Sequence, residues 1–172
     1  MICETIEGRL ETLDTSGKRV EYVEIPWDEA FKRIHRKITD AGREVGIRMG
    51  DFILTRGLYE GDVIYQDDNL VIAVHTPPCQ VISIAVDASA AARMIPKVCY
   101  EVGNRHAPFF YGEEEGSFLT PYNEPMLVML KKLPGVTAEK QMRKLDFANR
   151  ISTGGHGHHH HHHGTGGAHG DA

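Results

Sequence analysis

Apolar and polar residues alternate with a period of two along much of the first seventy-five residues. The alternation runs through three segments, residues 20–25, 34–38 and 45–49. Successive side chains of a strand point to opposite faces of a sheet, so each segment predicts a half-buried strand. Turn signals at residues 39–42 and 60–62 separate these segments, and residues 70–74 form a further apolar run. Many short strands at close spacing predict a small β-sandwich or barrel domain over residues 1–75.

The pattern changes after His75-Thr76-Pro77-Pro78, which is the best internal boundary because two prolines favour an extended connector. Beyond this point the chain alternates between strand-like runs and helical spacing. In order, the elements expected are a strand at 81–86, a helix through Met94, Val98 and Val102, a hairpin of residues 108–111 with 118–120, a helix after Asn123 and a strand at 136–138. This βαββαβ order predicts a ferredoxin-like domain over residues 76–150 and makes the fold class α+β.

Local signals place several helix ends. Asp87 or Ser89 is expected to cap the first helix of the second domain, and Gly103 is expected to end it. Pro96 lies inside that helix, where it must kink the helix or mark a weak turn. Asn123 is expected to cap the next helix, with Pro125 in its first turn. Residues 27–35 are expected to form a short helical turn.

Composition narrows the class of protein. Of the 172 residues, 41% are hydrophobic and 25% charged, which suits a soluble domain with a packed core, and the net charge of −5 with no basic stripe argues against a nucleic-acid partner. Acidic residues follow the first methionine at once and no apolar run reaches about 20 residues, so neither a secretory signal nor a membrane span is expected. Its three cysteines are widely spaced and odd in number, which favours reduced thiols in the cytoplasm.

Histidine is strongly concentrated at the end of the chain. Eight of eleven histidines lie in the last seventeen residues: His156, His158, His159, His160, His161, His162, His163 and His169. Imidazole suits Ni²⁺, Zn²⁺ and Cu²⁺, and the surrounding glycines allow many backbone geometries. Residues 151–172 therefore predict a disordered His-rich tail that binds metal. Six consecutive histidines also fit a purification tag, although His156 precedes them and nine residues follow them.

A second candidate is the segment Gly103-Asn104-Arg105-His106-Ala107-Pro108, which stands where a helix passes into a hairpin. A histidine at a helix C-terminus can be a metal ligand, or it can serve only to interact favourably with the helix dipole. Asn104 and Arg105 are expected to support His106 or the helix end from a second layer of contacts.

The stretch Gly103 to His106, followed by Pro108, resembles the hallmark of the UreE family of urease accessory proteins. The context of residues 99–102, the pattern at 58–65 and the His-rich tail resemble that family too. The resemblance implies a peptide-binding-like first domain, a ferredoxin-like metal-binding second domain, and a homodimer. It implies that His106 binds nickel at the dimer interface. It also implies delivery of Ni²⁺ to apo-urease together with other accessory proteins, one of them a GTPase.

The chain departs from some relatives, which carry two further histidines where Thr120 and Tyr122 stand here. A second metal site in the folded part is therefore in doubt. Imidazole chemistry itself favours Cu²⁺, so nickel selectivity rests on the resemblance, and Zn²⁺ and Cu²⁺ are expected to bind as well. Cys99 is read as a core residue, His75 as structural and His35 as solvated, while Cys79 keeps a small chance of binding metal.

The sequence is compatible with three kinds of non-enzymatic protein: a metallochaperone, a metal-storage protein and an assembly factor. The chain lacks H-E-x-x-H, the P-loop pattern and G-x-S-x-G, so we expect that it is not an enzyme. A nickel metallochaperone is the favoured reading. The main alternative is a His-rich protein that stores or buffers nickel, zinc or copper without a delivery role. A third is an assembly factor whose first domain binds a peptide.

Overall fold

The computed structural model describes residues 1–151. The strands are β1 (Ile2–Cys3), β2 (Gly8–Arg9), β3 (Arg19–Glu24), β4 (Ile34–Ile38), β5 (Glu44–Arg48), β6 (Asp62–Gln66), β7 (Leu70–His75), β8 (Cys79–Val86), β9 (Phe110–Tyr111), β10 (Ser117–Pro121) and β11 (Val136–Arg143). The helices are α1 (Ile53–Arg56), α2 (Ala91–Gly103) and α3 (Glu124–Leu130). Residues 152–172, on which the prediction of a disordered tail falls, lie outside the described range. Within that range, no helix has the length and apolar character needed to cross a membrane.

Two sheets built by residues 1–75, here called the first half, share one hydrophobic core. A three-stranded sheet has the order β1-β5-β4, and a four-stranded sheet has the order β2-β6-β7-β3. Val23 and Ile72 of the larger sheet and Val45 and Ile47 of the smaller one are buried in the same cluster. The alternating segments therefore form strands that bury one face each, and the expected β-rich first half is confirmed.

A buried carboxylate ties the two sheets of the first half together. Glu21 on β3 is only 1% exposed. Its carboxylate accepts hydrogen bonds from Arg43 Nε and Nη2 at 3.0 and 3.1 Å and from Thr39 Oγ1 at 2.9 Å. Arg43, the strongest of these influences, and Thr39 hold the pKa of Glu21 below its ordinary value against the effect of burial. Because Thr39 and Arg43 flank the β4–β5 turn, this contact bridges the sheets.

This carboxylate makes stability depend on pH. A carboxyl group whose pKa is lower in the folded state adds stability above its unfolded pKa of about 4.3, and loses it as the pH falls through the folded value. We expect Glu21→Gln to lower the free energy of unfolding at pH 7 by about 1–3 kcal/mol, since Arg43 loses its charged partner. In urea unfolding, the gap from wild type should close as the pH falls below 4. Glu24→Gln, on an exposed position of β3, is the control, and an equal loss there would refute the assignment.

Two local expectations for the first half are wrong. Residues 27–35 do not form a helix: isolated turns, with Glu29 N–H bonded to Pro26 O and Lys32 N–H to Glu29 O, lead into β4. His35 is 7% exposed rather than solvated, and its Nε2 lies 3.0 Å from Lys32 O. The period of two explains this, because β4 turns Ile34 outward and His35 inward. Helix α1 was not anticipated.

The second half, residues 76–151, has the predicted ferredoxin-like arrangement. Its sheet has the order β11-β8-β10-β9 with every neighbouring pair antiparallel. Helices α2 and α3 pack against this sheet around a core that includes Ile82, Ile84, Val98, Val102 and Leu130. The fold class is therefore confirmed for the described residues.

The helix ends follow the predictions only in part. Asn123 Oδ1 accepts the Met126 N–H at 3.0 Å, and Pro125 stands in the first turn of α3, as expected. Neither Asp87 nor Ser89 caps α2: a 3₁₀ turn at Ala88–Ala90 comes first, and its backbone geometry starts the helix at Ala91 without a side-chain cap. Pro96 lies inside α2, which continues to Gly103.

Residues 144–151, here called the strap, fasten the two halves together. Leu145 and Phe147 of the strap are buried in the hydrophobic cluster of the first half, together with Phe110 and Val81 of the second half. The strap then returns to the second half, where Ile151 N–H bonds to Phe109 O at 2.8 Å. The core of the first half therefore contains residues from both sides of the expected boundary. The division into residues 1–75 and 76–150 stays a prediction.

Candidate metal-binding site

His106 stands at the turn that ends helix α2. Its N–H bonds to Gly103 O at 2.9 Å, and the next N–H, of Ala107, reaches Val102 O at 3.4 Å. This pair of bonds is the Schellman cap, in which one residue takes the left-handed conformation. His106 fills that position with a φ of 53°, and no other non-glycine residue among residues 1–151 has a positive φ.

Glycine is the usual residue at this position of a helix cap. A residue with a Cβ pays about 1–2 kcal/mol in the left-handed region, and histidine does so here. The imidazole itself is exposed to solvent at the end of α2. Because glycine would be more stable in this turn, the histidine at position 106 indicates a role for its side chain.

The charged residues near the helix end contact one another and leave the imidazole of His106 open. Lys97 Nζ and Arg105 Nη1 each lie 2.7 Å from Glu101, and together they hold the pKa of Glu101 below its ordinary value. Arg105 Nη1 also donates to Glu101 O at 2.7 Å. Asn104 is exposed and donates its N–H to Tyr100 O. The contacts of Arg105 are therefore with the helix end, one of the two roles expected for it.

His106 alone does not make a metal site. Residues 1–151 contain no group of three or more His, Cys, Asp or Glu side chains arranged to hold an ion. Protein sites for metals of this class take about four donors when closed and leave a position open when they exchange ligands. An ion at His106 must therefore draw its other ligands from a second copy of the chain, from residues 152–172 or from water.

The other candidate metal ligands are the tail histidines, two cysteines and His75. The eight histidines of the tail lie outside the described residues. Cys79 and Cys99 are half-buried, and burial raises the pKa of both thiols, which disfavours the thiolate that binds metal. His75 Nδ1 lies 3.3 Å from Glu60 Oε1 at the connector.

The two positions where some relatives carry histidines are occupied by hydroxyls that already have partners. Thr120 is fully buried and donates to Pro108 O at 2.8 Å. Tyr122 donates to the carboxylate of Glu124, and Lys140 Nζ lies 4.1 Å from the centre of its ring. Neither side chain offers a ligand for nickel.

An exposed apolar row leads to His106, and the sequence reasoning missed it. Ala92, Pro96, Tyr100 and Gly103 are exposed along α2, and their spacing puts them on one face of the helix. We call this row the α2 strip. Tyr100 is 63% exposed. The sequence does contain a signal for this strip, because Ala92, Pro96 and Tyr100 are four residues apart. They lie outside the row of Val98 and Val102, which packs in the core. The α2 strip is therefore an exposed face of α2 that does not pack on the sheet.

Ile151, the last described residue, is held next to the segment that follows His106. Ile151 is bonded to Phe109, three residues after His106. His156 follows Ile151 by five residues.

Comparison with known proteins decides the family. The description "UreE urease accessory protein, N-terminal domain" matches residues 3–76, and "UreE urease accessory protein, C-terminal domain" matches residues 80–170. The chain belongs to the UreE family. The resemblance seen in the sequence is therefore confirmed, and it places the chain among proteins that assist urease maturation.

Individual UreE relatives align over most of both chains. The urease accessory protein UreE of Helicobacter acinonychis (strain Sheeba) is 36% identical over 152 residues, which cover 88% of this chain and 86% of the relative. UreE of Helicobacter pylori (strain P12) is 37% identical with the same coverage. UreE of Helicobacter bizzozeronii is 32% identical, covering 88% of this chain and 83% of the relative.

Proposed function

We propose that this protein is a cytoplasmic, homodimeric nickel metallochaperone without catalytic activity. It captures Ni²⁺ and delivers it to apo-urease, in concert with other urease accessory proteins that include a GTPase. One observation carries the proposal: an exposed imidazole is kept at the left-handed end of α2, where glycine would be more stable. Membership in the UreE family supports the urease part of the proposal.

A dimer supplies the second ligand. In a two-fold interface each residue near the axis meets its own copy, so His106 appears twice. The α2 strip offers the apolar surface for this contact and leads directly to His106. When the strips of two chains pack together, the two imidazoles approach each other across the axis. Asn104 and Arg105 then support the ligand pair by holding the helix end.

The tail completes the site. Two imidazoles leave coordination positions open, and the tail histidines are ligands of the same kind. A tail that closes over the ion retains it, and a tail that opens exposes it for transfer. Zn²⁺ and Cu²⁺ bind the same imidazoles, so the choice of nickel for delivery comes from the partner proteins.

The test is a nickel titration by calorimetry, with the mass of the complex measured in parallel. A variant with all eight tail histidines changed to serine, the tail-serine variant, isolates the folded part. We expect it to bind about one Ni²⁺ per dimer, since the site lies on the two-fold axis. Adding His106→Ala to the tail-serine variant should abolish that binding. Binding that persists without His106 would contradict the proposal.

Storage without delivery is the second candidate, and it is favoured by the eight histidines of the tail beside a single exposed histidine near α2. Under this alternative the tail-serine variant binds no nickel, whereas His106→Ala in the intact chain changes nothing. Transfer of nickel to apo-urease separates the two functions further. A chaperone transfers less nickel after His106→Ala, while a storage protein transfers as little before the change as after it.

A further inference from the structure

We infer that the outer face of the smaller sheet in the first half binds the same face of a second copy of the chain. This face is the solvent-facing side of strands β1, β5 and β4, and we call it the isoleucine face. The contact uses no residue of the proposed nickel site, so it goes beyond the proposed function and does not rest on it. It is a second contact between copies, separate from the α2 strip.

Three isoleucines on this face are unusually exposed. The side chains of Ile2, Ile34 and Ile38 are 66%, 73% and 63% exposed, while the intervening residues of the same strands, such as His35 and Val45, are buried. A sheet that turns one face to water normally carries polar residues there. Each isoleucine that a partner covers removes apolar surface from water, so a partner on this face gains hydrophobic stabilisation.

The centre of the isoleucine face is a glycine that its own chain does not require. Gly46 lies between Ile2 on β1 and Arg36 on β4. Its φ is not positive, and an added Cβ would meet only Met1 O at 3.6 Å and Ile2 Cγ1 at 3.7 Å, which are ordinary contacts. Glycine inside a strand weakens the strand and often marks the close approach of another backbone. A second sheet lying on this face accounts for the glycine.

The side chains around Gly46 are arranged for a two-fold partner. Ile34 lies beside Arg48 at one end of the face, and Ile38 lies beside Glu44 at the other end. A two-fold axis that runs across the strands through Gly46 puts Glu44 of one copy over Arg48 of the other. The same rotation puts Ile34 over Ile38. The strands of the two sheets then stay nearly aligned, as they do when sheets pack face to face.

The charge balance favours a second copy over a partner of a single charge sign. Arg48 pairs with Glu4, and Arg36 Nη2 lies 3.4 Å from Glu44 Oε2. Because both signs alternate on the face, a strongly acidic or strongly basic partner gains no net attraction there. Arg36 lies on the two-fold axis, but its side chain is 84% exposed on the edge strand β4 and can point away from its copy.

The size of the isoleucine face makes the contact weak. Three strands about 4.8 Å apart, each with about five residues at about 3.4 Å, cover roughly 14 by 17 Å. Two such faces together bury less than about 1,200 Å², which is the range of transient contacts. Association therefore depends on protein concentration. A dimer joined through the α2 strip carries two isoleucine faces, so it can assemble into tetramers and longer chains.

The experiment is analytical ultracentrifugation of the full-length chain in a chelator, from micromolar to millimolar concentration. We expect the weight-average mass to rise about twofold or more over this range. Gly46→Thr should abolish the rise, because a branched side chain at the centre keeps the two sheets apart. Its stability in urea should not fall, since threonine favours strands and glycine weakens them. A wild-type mass that stays constant, or a Gly46→Thr mass that still rises, would overturn the inference.

Exchanging charges tests the two-fold register without changing the centre of the face. Arg48→Glu and Glu44→Arg should each lose the rise in mass, since like charges then face each other in both ionic contacts. An equimolar mixture of the two variants should recover the rise, because both contacts again join opposite charges. Glu139→Arg, a charge reversal at an exposed position of β11, is the control and should associate as wild type does. A mixture that fails to recover refutes the contact, even if Gly46→Thr does not fold.

Failure of the proposed homodimer would look different. Without a contact through the α2 strip, the mass at micromolar concentration equals that of one chain, and the rise with concentration keeps the same dependence on Gly46, Glu44 and Arg48. Without the contact through the isoleucine face, the mass keeps its micromolar value at every concentration. The two contacts are therefore tested separately by one set of measurements.

Discussion

Replacing His106 with glycine is expected to abolish nickel binding by the folded part of the chain while making the protein more stable. The left-handed conformation costs a residue with a Cβ about 1–2 kcal/mol, and glycine removes this cost. Glycine also gains about 0.4–1 kcal/mol of freedom in the unfolded chain, which acts in the opposite direction. The net expectation is a rise of about 0.5–1 kcal/mol in the free energy of unfolding.

Urea unfolding and nickel titration of the same preparations check this result, both in the tail-serine background. His106→Ala is the matched control, because alanine removes the imidazole but keeps the Cβ: nickel binding should vanish and stability should stay near that of wild type. Asn104→Gly, at a right-handed position of the same helix end, should lower stability by about 0.5–1 kcal/mol. A glycine at position 106 that lowers stability would show that the imidazole stabilises the fold, against our reading.

Loss of the Asp62 carboxylate should cost the protein more stability than any surface substitution. Asp62 is 0% exposed, and its oxygens accept bonds from Arg56 Nη1 and Nη2 at 2.6 and 2.8 Å. Arg9 Nη1 lies at 3.0 Å and the Tyr59 N–H at 2.7 Å. Asp62→Ala leaves these donors without their acceptor. Removing one partner of a fully buried ion pair typically costs about 3–5 kcal/mol, and because the Arg56 and Arg9 side chains are about a third exposed, we expect a loss of about 2–4 kcal/mol.

Chemical denaturation at neutral pH measures the loss directly. Glu11→Ala provides the control, since the exposed Glu11 also pairs with Arg9, at 3.4 Å. Exposed pairs contribute between zero and about 1 kcal/mol, so this variant should unfold nearly as wild type does. If Asp62→Ala costs no more than Glu11→Ala, the arginines are solvated in the variant and the network does not hold the first half together.

The features that sequence predicted well are those set by local pattern. The strands of the second half have strong apolar runs, and the helix after Asn123 carries both a capping side chain and an early proline. These signals act within a few residues of one another, so the order of elements followed without knowledge of the fold. Local pattern also predicted that His106 lies at the end of a helix.

Other features depend on contacts between residues that are far apart in the sequence. Nothing near Phe147 indicates that its ring packs on Phe31 and Tyr59, more than eighty residues earlier. The charged neighbours of His35 suggested solvent, but the sheet turned that side chain inward. For the candidate site, the hallmark residues identified the histidine, whereas its left-handed backbone was not predicted. Residues 1–151 of a single chain bring together no group of three or more potential metal ligands, so no local pattern could have predicted a complete site.

The strap also has a consequence for the order in which the protein is made. The core of the first half contains Leu145 and Phe147, so it stays incomplete until seventy-two residues after residue 75 have been added. At about 5–20 residues per second, synthesis of that stretch takes about 4–14 seconds. During this time the nascent chain exposes the apolar surface around Phe31 and Tyr59 on the ribosome. Translation speed therefore sets how long the core of the first half remains incomplete.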